Sequence, residues 1–463
     1  MTAMPETTWY DHVDPRALLE AYPVGEAFVQ RYTKMSRDEL RARQERDFLK
    51  LVARGWEVPF YRRLWSAKGI EPGDIRSLDD LPKLPSFDKS DLMASIAAHP
   101  PLGDFHGRSG GPVVLHTTSG TTGKPQVLLF GPWGREVGNL LVARMARWQG
   151  LRADDVVHSV YGHGMINGGH YIREAYTRFT EALFLSAGTG VETRSANQVQ
   201  LMADFRATVL VGFVDYVRKL AEVAREAGLE PGRDIPVRMI IGHLGTEDRA
   251  ATEAAWGGAK AYDWYGVGDT GSIAGEGPDR DGLYVWEDAQ FVEICDVETG
   301  APVPRGEKGD MVVTCLYKHD VAPVIRFNTH DVSAFRTDRN ATGMVFDRIE
   351  GFLGRSDNMV KLKGINVFPH AIGAIIENRP ELTGEYVCRV VRDSQGVDRM
   401  TVVIEHRGAG EAGDEGRRAL GQLLRQGLGV EVEVELVPPG ATAPLTQIEV
   451  RQKPLRLIDE RKR

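Results

Sequence analysis

Thr117-Thr118-Ser119-Gly120-Thr121-Thr122-Gly123-Lys124-Pro125 follows directly on the apolar run Val113-Val114-Leu115-His116, and the reading of this 463-residue chain turns on it. Two glycines allow a tight turn that brings backbone N–H groups toward an anion. Five hydroxyl side chains add donors, and Lys124 adds a positive charge. By composition this is a phosphate cradle placed after a strand. It differs from a Walker loop, which has four residues between its glycines and a Ser or Thr after the lysine. Here only Thr121 and Thr122 separate Gly120 from Gly123, and Pro125 follows Lys124. A polar β-turn is the competing reading, although Ser, Thr and Gly seldom run so deep in a structural turn.

Working outward, short β-branched runs alternate with helical stretches. Val113 to His116, Val127 to Phe130, Val156 to Val160, Val209 to Gly212 and Met239 to Ile241 read as strands. Val137 to Trp148 and Tyr216 to Ala227 read as helices between them, a pattern that predicts an α/β sheet. Asp281 to Val297 and Gly309 to Tyr317 alternate with turns and predict antiparallel structure. The first hundred residues read as helical. Ser36-Arg37-Asp38-Glu39 is a capping box, Leu40, Phe48, Leu51 and Val52 keep helical spacing, and Gly55 is expected to stop that helix. Asp79 to Pro82 and Pro85 mark turns before a short helix at Lys89 to Ala97. The expected division is a large N-terminal unit of mixed sheets and helices over 1–353, with a mainly helical lead-in over 1–110, and a small mobile α+β unit over 354–463. In the small unit, Glu415 to Gly427 reads as an amphipathic helix and Glu431 to Leu436 as a half-exposed strand of period two.

Lys plus Arg is 57 and Asp plus Glu 65, a net charge of −8, so the chain lacks the basic surplus of a nucleic-acid coat. Three cysteines, none at zinc spacing, cannot staple a secreted scaffold. No run reaches the roughly 18 apolar residues of a membrane span. The expectation is a soluble cytoplasmic protein that engages neither nucleic acid nor membrane.

The hydroxyl-rich run resembles the phosphate loop of the adenylate-forming enzymes: acyl- and aryl-CoA ligases, peptide-synthetase adenylation domains and luciferases. Other landmarks of that superfamily follow in order. Ala261-Tyr262-Asp263-Trp264-Tyr265-Gly266-Val267-Gly268-Asp269 resembles its Y-G-x-S/T-E segment. Arg326-Phe327-Asn328-Thr329-His330-Asp331 resembles Y-R-T-G-D. Gly354-Arg355-Ser356-Asp357-Asn358 resembles the hinge, and Ile365-Asn366-Val367-Phe368-Pro369 is similar to the V-N-V-F-P of the phenylacetate-CoA ligase branch. Gly245-Thr246-Glu247 sits where that branch has its adenine loop, and Tyr161-Gly162-His163-Gly164 resembles its Y-G-Y-G segment. The likeness covers roughly residues 30 to 460.

The resemblance implies activation of a carboxylic acid by ATP to an acyl-adenylate and pyrophosphate, then thioester formation with CoA. Thr118, Ser119, Gly120, Thr121, Thr122, Gly123 and Lys124 would hold the β- and γ-phosphates. Asp269 would bind Mg2+; without the neighbouring Tyr265-Gly266 it reads as a turn or N-cap residue. Asp331 would take the two ribose hydroxyls, with Arg355 on ribose or phosphate. Tyr265 would stack on adenine, beside Gly266, with backbone near Asp263 and Gly245 to Glu247 reading the ring edge. Asp357 would be the hinge. Lys453, in Gln452-Lys453-Pro454-Leu455-Arg456, would neutralise charge between the carboxylate and the α-phosphate, although Gln452 and Pro454 depart from the superfamily pattern.

The branch implies an aromatic acid. Tyr161, His163, Gly164, Met165, Phe213 and Val214 are the expected pocket, and His163 with Asn167 and His170 makes it polar. That favours a ring bearing hydroxyl or amino groups, since a buried polar group is costly unless paired. The competing reading of those histidines is a solvent-facing or backbone-satisfied role. Two other functions stay open: the same adenylation feeding an acyl carrier protein thiol, an amine or a small inorganic nucleophile, and a degenerate nucleotide-binding protein. The branch is often dimeric, so a homodimer is among the expectations.

Overall fold

The computed structural model describes residues 8–107, 111–118, 125–245, 247–356, 360–362, 365–367, 369, 371–376, 379–393, 397–408, 413–446 and 455–461. The chain folds into two compact units. One comprises Met1–Leu244, Arg249–Thr329 and Ser333–Gly351, the other Gly245–Asp248, His330–Val332 and Phe352–Arg463.

The first unit begins with helices α1 (Pro15–Ala21), α2 (Gly25–Lys34), α3 (Arg37–Glu57), α4 (Pro59–Ser66) and α5 (Lys89–Ala98). The capping box of α3 is present: Ser36 Oγ accepts from Glu39 N at 3.2 Å and Glu39 Oε2 accepts from Ser36 N at 2.8 Å. Gly55 does not end this helix, contrary to expectation. It lies inside α3 because a Cβ there would stand 2.4 Å from Trp65 Cη2, so the glycine admits α4 at close range. The stop comes instead where Pro59 opens α4, since the residue before a proline disfavours helix. The Asp79–Pro82 segment is likewise not a plain turn. It forms a 3-10 helix, Leu78–Lys83, whose Asp80 carboxylate accepts from Ser77 N.

The hairpin strands β1 (Val114–Thr117) and β2 (Val127–Phe130) pair antiparallel, Thr117 opposite Val127, and flank the hydroxyl-rich run. Then follow α6 (Pro132–Trp148), β3 (Val156–Ser159), α7 (Asn167–Phe179), β4 (Leu183–Ser186), α8 (Ser195–Asp204), β5 (Val209–Phe213), α9 (Val214–Glu226), β6 (Met239–His243), α10 (Arg249–Ala255), β7 (Lys260–Val267), β8 (Gly271–Glu276) and β9 (Leu283–Val285). After these come β10 (Gln290–Cys295), β11 (Gly309–Cys315), β12 (Phe327–Ser333) and β13 (Arg348–Ile349). An eight-stranded sheet has the order β13-β9-β8-β7-β6-β5-β3-β4. Its β4-β3-β5-β6-β7 portion is parallel, as the alternation of strands and helices predicts, and β7-β8-β9-β13 is antiparallel. β10 and β11 pair antiparallel, as expected. The chain runs from β3 outward to β4 and then returns to β5 on the other side. In open α/β sheets the crevice beyond the carboxyl ends of the strands at such a reversal is where ligands bind.

The second unit contains β14 (Gly354–Arg355), β15 (Val360–Leu362), β16 (Ile365–Val367), α11 (Ala371–Ile376), β17 (Leu382–Arg392), β18 (Asp398–His406), α12 (Gly413–Leu428), β19 (Glu433–Val437), α13 (Ala443–Thr446) and β20 (Leu457–Asp459). A sheet of order β19-β18-β17-β20 packs Cys388, Val390, Val402 and Ile404 with Leu420 and Leu424 of α12. Apolar residues of α12 recur at helical spacing and face this core, the arrangement its amphipathic pattern predicts.

Candidate active site

The hydroxyl-rich run joins two strands whose ends are well fixed. Thr118 N donates to Gln126 O at 3.0 Å, and Thr118 Oγ1 accepts from Gln126 N at 3.2 Å, so the ladder continues one step past β1. Ser119 to Lys124 themselves lie outside the described residues. Gln126 reaches across to the second predicted element: its Nε2 donates to Asp269 Oδ1. Lys318 Nζ donates to the backbone oxygen of Asp269 at 2.6 Å and sits 5.2 Å from the centre of the Phe130 ring on β2. Burial pushes the Asp269 carboxyl above its ordinary range, while Lys318 and Gln126 pull it back. Asp269 is thus anchored beside the loop end of the hairpin.

Asp269 suits a hard divalent cation as one ligand among several. No cluster of three or more His, Cys, Asp or Glu side chains among the described residues forms a metal cage.

Tyr265 lies in β7 opposite Ala274 and is buried. Next to it, a Cβ on Gly266 would fall 2.4 Å from Gly271 O, so only glycine fits beside β8. Asp263 Oδ1 accepts from Leu244 N and Trp264 N, both at 2.8 Å, and so ties the end of β6 to β7. The chain then turns at Gly245, whose φ is +54°. Thr246 lies outside the described residues. Glu247, within the second unit, contributes to the electrostatic surroundings of Arg456 and Tyr386.

Asp331 pairs with Arg355 across β12 and β14. Its Oδ1 accepts from Arg355 Nη1 at 2.8 Å, which orients a buried carboxylate. The preceding His330 has φ +57°, the left-handed region that favours glycine, which accounts physically for the glycine usual there in the superfamily pattern. Ser356 N donates to His330 O at 2.8 Å and supports the strained residue. Asp357 and Lys453 lie outside the described residues.

At the carboxyl ends of β3, β5 and β6, beside the middle of β7, an aromatic group assembles. Tyr161 packs edge-on to Phe213 at 5.1 Å, Phe213 lies 5.4 Å from His243, and His243 stacks on Trp264 at 4.3 Å. His243 Nδ1 and Trp264 O stand 2.9 Å apart. Burial pushes the Tyr161 phenol well up, so it stays a neutral O–H. Neither the Tyr161 hydroxyl nor the Trp264 indole N–H has an aligned hydrogen-bond partner among the described residues, although the two are neighbours. Val214 does not belong to this group. It opens α9 and packs with Leu210, Val217 and Ile240 in the core under the sheet, a correction to the expected pocket. Gly164 and Met165 are exposed, and Met165 serves through its carbonyl, which accepts from Thr117 N at 2.9 Å. His163 Nε2 lies 2.7 Å from Ser186 Oγ, and His170 Nε2 is within 3.0 Å of the His163 and Gly164 carbonyls. His170 is therefore backbone-satisfied.

His116 behaves differently. Burial, with Arg135 and His170 nearby, brings its pKa down to about 4. The native state holds it neutral, whereas the unfolded chain protonates it near its ordinary value of 6.5. Stability should therefore fall as pH drops from about 6.5 to about 4, by up to about 3 kcal/mol from this group. Urea unfolding of His116→Phe at pH 7 and pH 5 should show a smaller pH dependence than the parent; an unchanged slope would remove His116 as the cause.

Sequence reasoning misses Gln126, Lys318, His243 and Trp264 as members of the site. Gln126 alone leaves a trace, as a polar residue opening the apolar run of β2.

Residues 364–461 match the family described as AMP-binding enzyme C-terminal domain. The chain is 32% identical over 431 residues to a phenylacetate-coenzyme A ligase of Aromatoleum evansii, covering 89% of this chain and 93% of that one. It is 31% identical to the phenylacetate-coenzyme A ligase of Thermus thermophilus, over 88% of this chain and 94% of the other. Its fold superposes with a TM-score of 0.80 on 2-hydroxyisobutyryl-CoA ligase in the postadenylation state in complex with R3-HIB-AMP, at 27% identity over 94% and 92% of the two chains. With its hairpin anchored to Asp269 and an aromatic group at the sheet's reversal point, the chain belongs, by relatives that match it over nearly its whole length, to the phenylacetate-CoA ligase family of adenylate-forming enzymes.

Proposed function

We propose that the protein activates a polar-substituted aromatic carboxylic acid with ATP and Mg2+, releases pyrophosphate, and passes the acyl group from the adenylate to CoA. The observation that carries this reading is the hydrogen bond from Gln126 to Asp269, which sets a cation-binding carboxylate beside the exit of the hydroxyl-rich loop. Ser119 to Lys124 take the β- and γ-phosphates, and bound Mg2+ supplies charge neutralisation to the triphosphate. Tyr265 and the Gly245 turn take adenine, and Asp331, held by Arg355, takes the ribose diol. The substrate carboxylate then attacks the α-phosphorus. Lys453 stabilises the negative charge that gathers there, and preorganised cations of this kind act most strongly in a site that excludes water. Asp357 is the hinge about which the small unit turns before CoA attacks the carbonyl carbon and expels AMP.

The acid's character follows from Tyr161 and Trp264. The Trp264 indole N–H faces the Tyr161 oxygen, which leaves the buried phenol O–H as a donor and favours a substrate that brings an oxygen or nitrogen acceptor to it. The solved relative that takes a hydroxylated acid is in keeping with such a pocket. A panel of plain and hydroxyl- or amino-substituted benzoates, phenylacetates and cinnamates, followed by pyrophosphate release, tests this. Substituted rings should show the higher kcat/KM, and Tyr161→Phe should narrow the preference by about tenfold. Equal or better turnover of the unsubstituted ring would overturn the assignment.

A further inference from the structure

We propose that a cavity among the N-terminal helices is a second ligand site, built for a planar ring that carries a phosphate dianion. The cavity encloses about 340 Å³ between α1, α2, α3, the start of α6 and the segment after β11. That volume falls within the roughly 300–1,000 Å³ typical of small-molecule sites. Four of its lining residues are cationic and two are acidic, a local positive excess in a chain of net charge −8.

Arg43 is part of the wall: its guanidinium donates to Tyr32 Oη at 3.0 Å and to Ala21 O at 2.9 Å. Arg46 and Lys50 are held far more loosely. They are 61% and 67% exposed and share one partner, Asp47, at 4.0 and 3.5 Å. They stand one turn apart on α3, where side chains four residues apart are neighbours, so both reach one doubly charged phosphate. The same cavity is lined by a ring platform. Trp133 lies 6.4 Å from Tyr22 and 5.8 Å from His319, centre to centre. The Trp133 indole N–H is buried with no acceptor among the described residues, and a ring nitrogen or ligand oxygen would satisfy it.

The cavity also touches the reaction site through the chain. Leu316 and His319 line it, and between them Lys318 donates to Asp269 O at 2.6 Å. Asp320 Oδ2 accepts from Gly134 N at 2.9 Å, which fastens this segment to the turn that carries Trp133. A bound ring therefore presses on the segment that fixes Asp269.

A free nucleotide and the 3′-phosphoadenosine end of CoA share this chemistry; the second source rests on the function proposed above, the site itself does not. The test titrates 3′,5′-ADP, adenosine and inorganic phosphate calorimetrically into the full-length protein saturated with a non-hydrolysable ATP analogue. Parent, Arg46→Glu/Lys50→Glu and Trp133→Phe proteins are compared. Saturable, salt-sensitive binding of 3′,5′-ADP to the parent is expected. The charge-reversed protein should bind it at least tenfold more weakly, and Trp133→Phe more weakly than the parent. A matching rise in KM for CoA, at unchanged KM for ATP, would assign the site to the acceptor's nucleotide end. Lost 3′,5′-ADP binding with KM for CoA unmoved would assign it to a free nucleotide. Equal affinity of the parent and the charge-reversed protein, or no saturable binding to the parent, overturns the proposal whatever the turnover.

Discussion

Lys453→Ala is expected to lower the rate of adenylate formation by about 100- to 1,000-fold while leaving ATP affinity nearly unchanged. The effect is electrostatic. An anionic carboxylate must approach a triphosphate that already repels it, and negative charge gathers between the carboxylate oxygen and the α-phosphorus as the bond forms. A cation that meets this charge only in the transition state raises kcat without tightening the ground state. Lys453→Arg should recover only part of the rate, because a planar guanidinium is not a point ammonium in shape or reach. Pre-steady-state pyrophosphate release separates this step from thioester formation. Retained adenylation in Lys453→Ala would remove the residue from the chemistry, and Pro454 and Gln452 would then mark a tail that has lost its superfamily role.

Asp288→Ala is expected to destabilise the first unit by about 3–5 kcal/mol, the cost of leaving buried cations without their counter-charge. Asp288 and Arg144 are both fully buried and meet through two hydrogen bonds, 2.8 and 2.9 Å long. Tyr32 donates to the same carboxylate at 2.6 Å, and Arg43 stands 4.0 Å away. Burial alone would raise the Asp288 pKa; Arg144 and Arg43 overcome it and hold the carboxyl below its usual range. By linkage, this contribution is present above the ordinary carboxylate pKa and is lost as pH falls toward the lowered native value. Arg144 Nε also donates to Pro23 O at 2.9 Å, so the carboxylate braces α6 and, through it, the segment between α1 and α2. Urea denaturation followed by tryptophan fluorescence should show the midpoint falling strongly at pH 7, with Asp288→Asn intermediate. A shift below about 1 kcal/mol would show that the network carries little of the unit's stability.

Much of this architecture is legible in the sequence. Strands β5 and β6 announce themselves because a parallel sheet buried on both faces needs nearly continuous apolar runs. The capping box of α3 is local and is read directly. Gly55 misleads for a physical reason: a glycine that ends a helix and a glycine that admits a tryptophan look alike until the neighbouring helix is placed. His330 shows the reverse, a substitution against pattern that the backbone still tolerates at φ +57°.

The site is legible where its chemistry is local and obscure where it depends on register. The run 117–125 carries its own donors and turns. Gln126 and Asp269 are 143 residues apart, and Lys318 and Asp269 are 49 apart, so their meeting depends on how the three separate sheets that hold β2, β7 and β11 come together. Phe213 faces His243 because β5 and β6 pair in that register. Trp264 is hidden for another reason, since it stands inside a motif read for its neighbours Tyr265 and Gly266. Val214 reads as a pocket residue from its place after a strand, yet the first turn of α9 directs it into the core.

The most direct test of the central claim, that the carboxylate attacks the α-phosphorus of an ATP gripped by its terminal phosphates, is an oxygen-label experiment. A substrate acid carrying 18O in its carboxylate is turned over with unlabelled ATP, Mg2+ and CoA, and the products are weighed by mass spectrometry. One labelled oxygen is predicted in each AMP and none in pyrophosphate, because the P–O bond made in the first step survives when the thiol expels AMP. Label in pyrophosphate or inorganic phosphate, or acid-dependent turnover that leaves AMP unlabelled, would contradict the account.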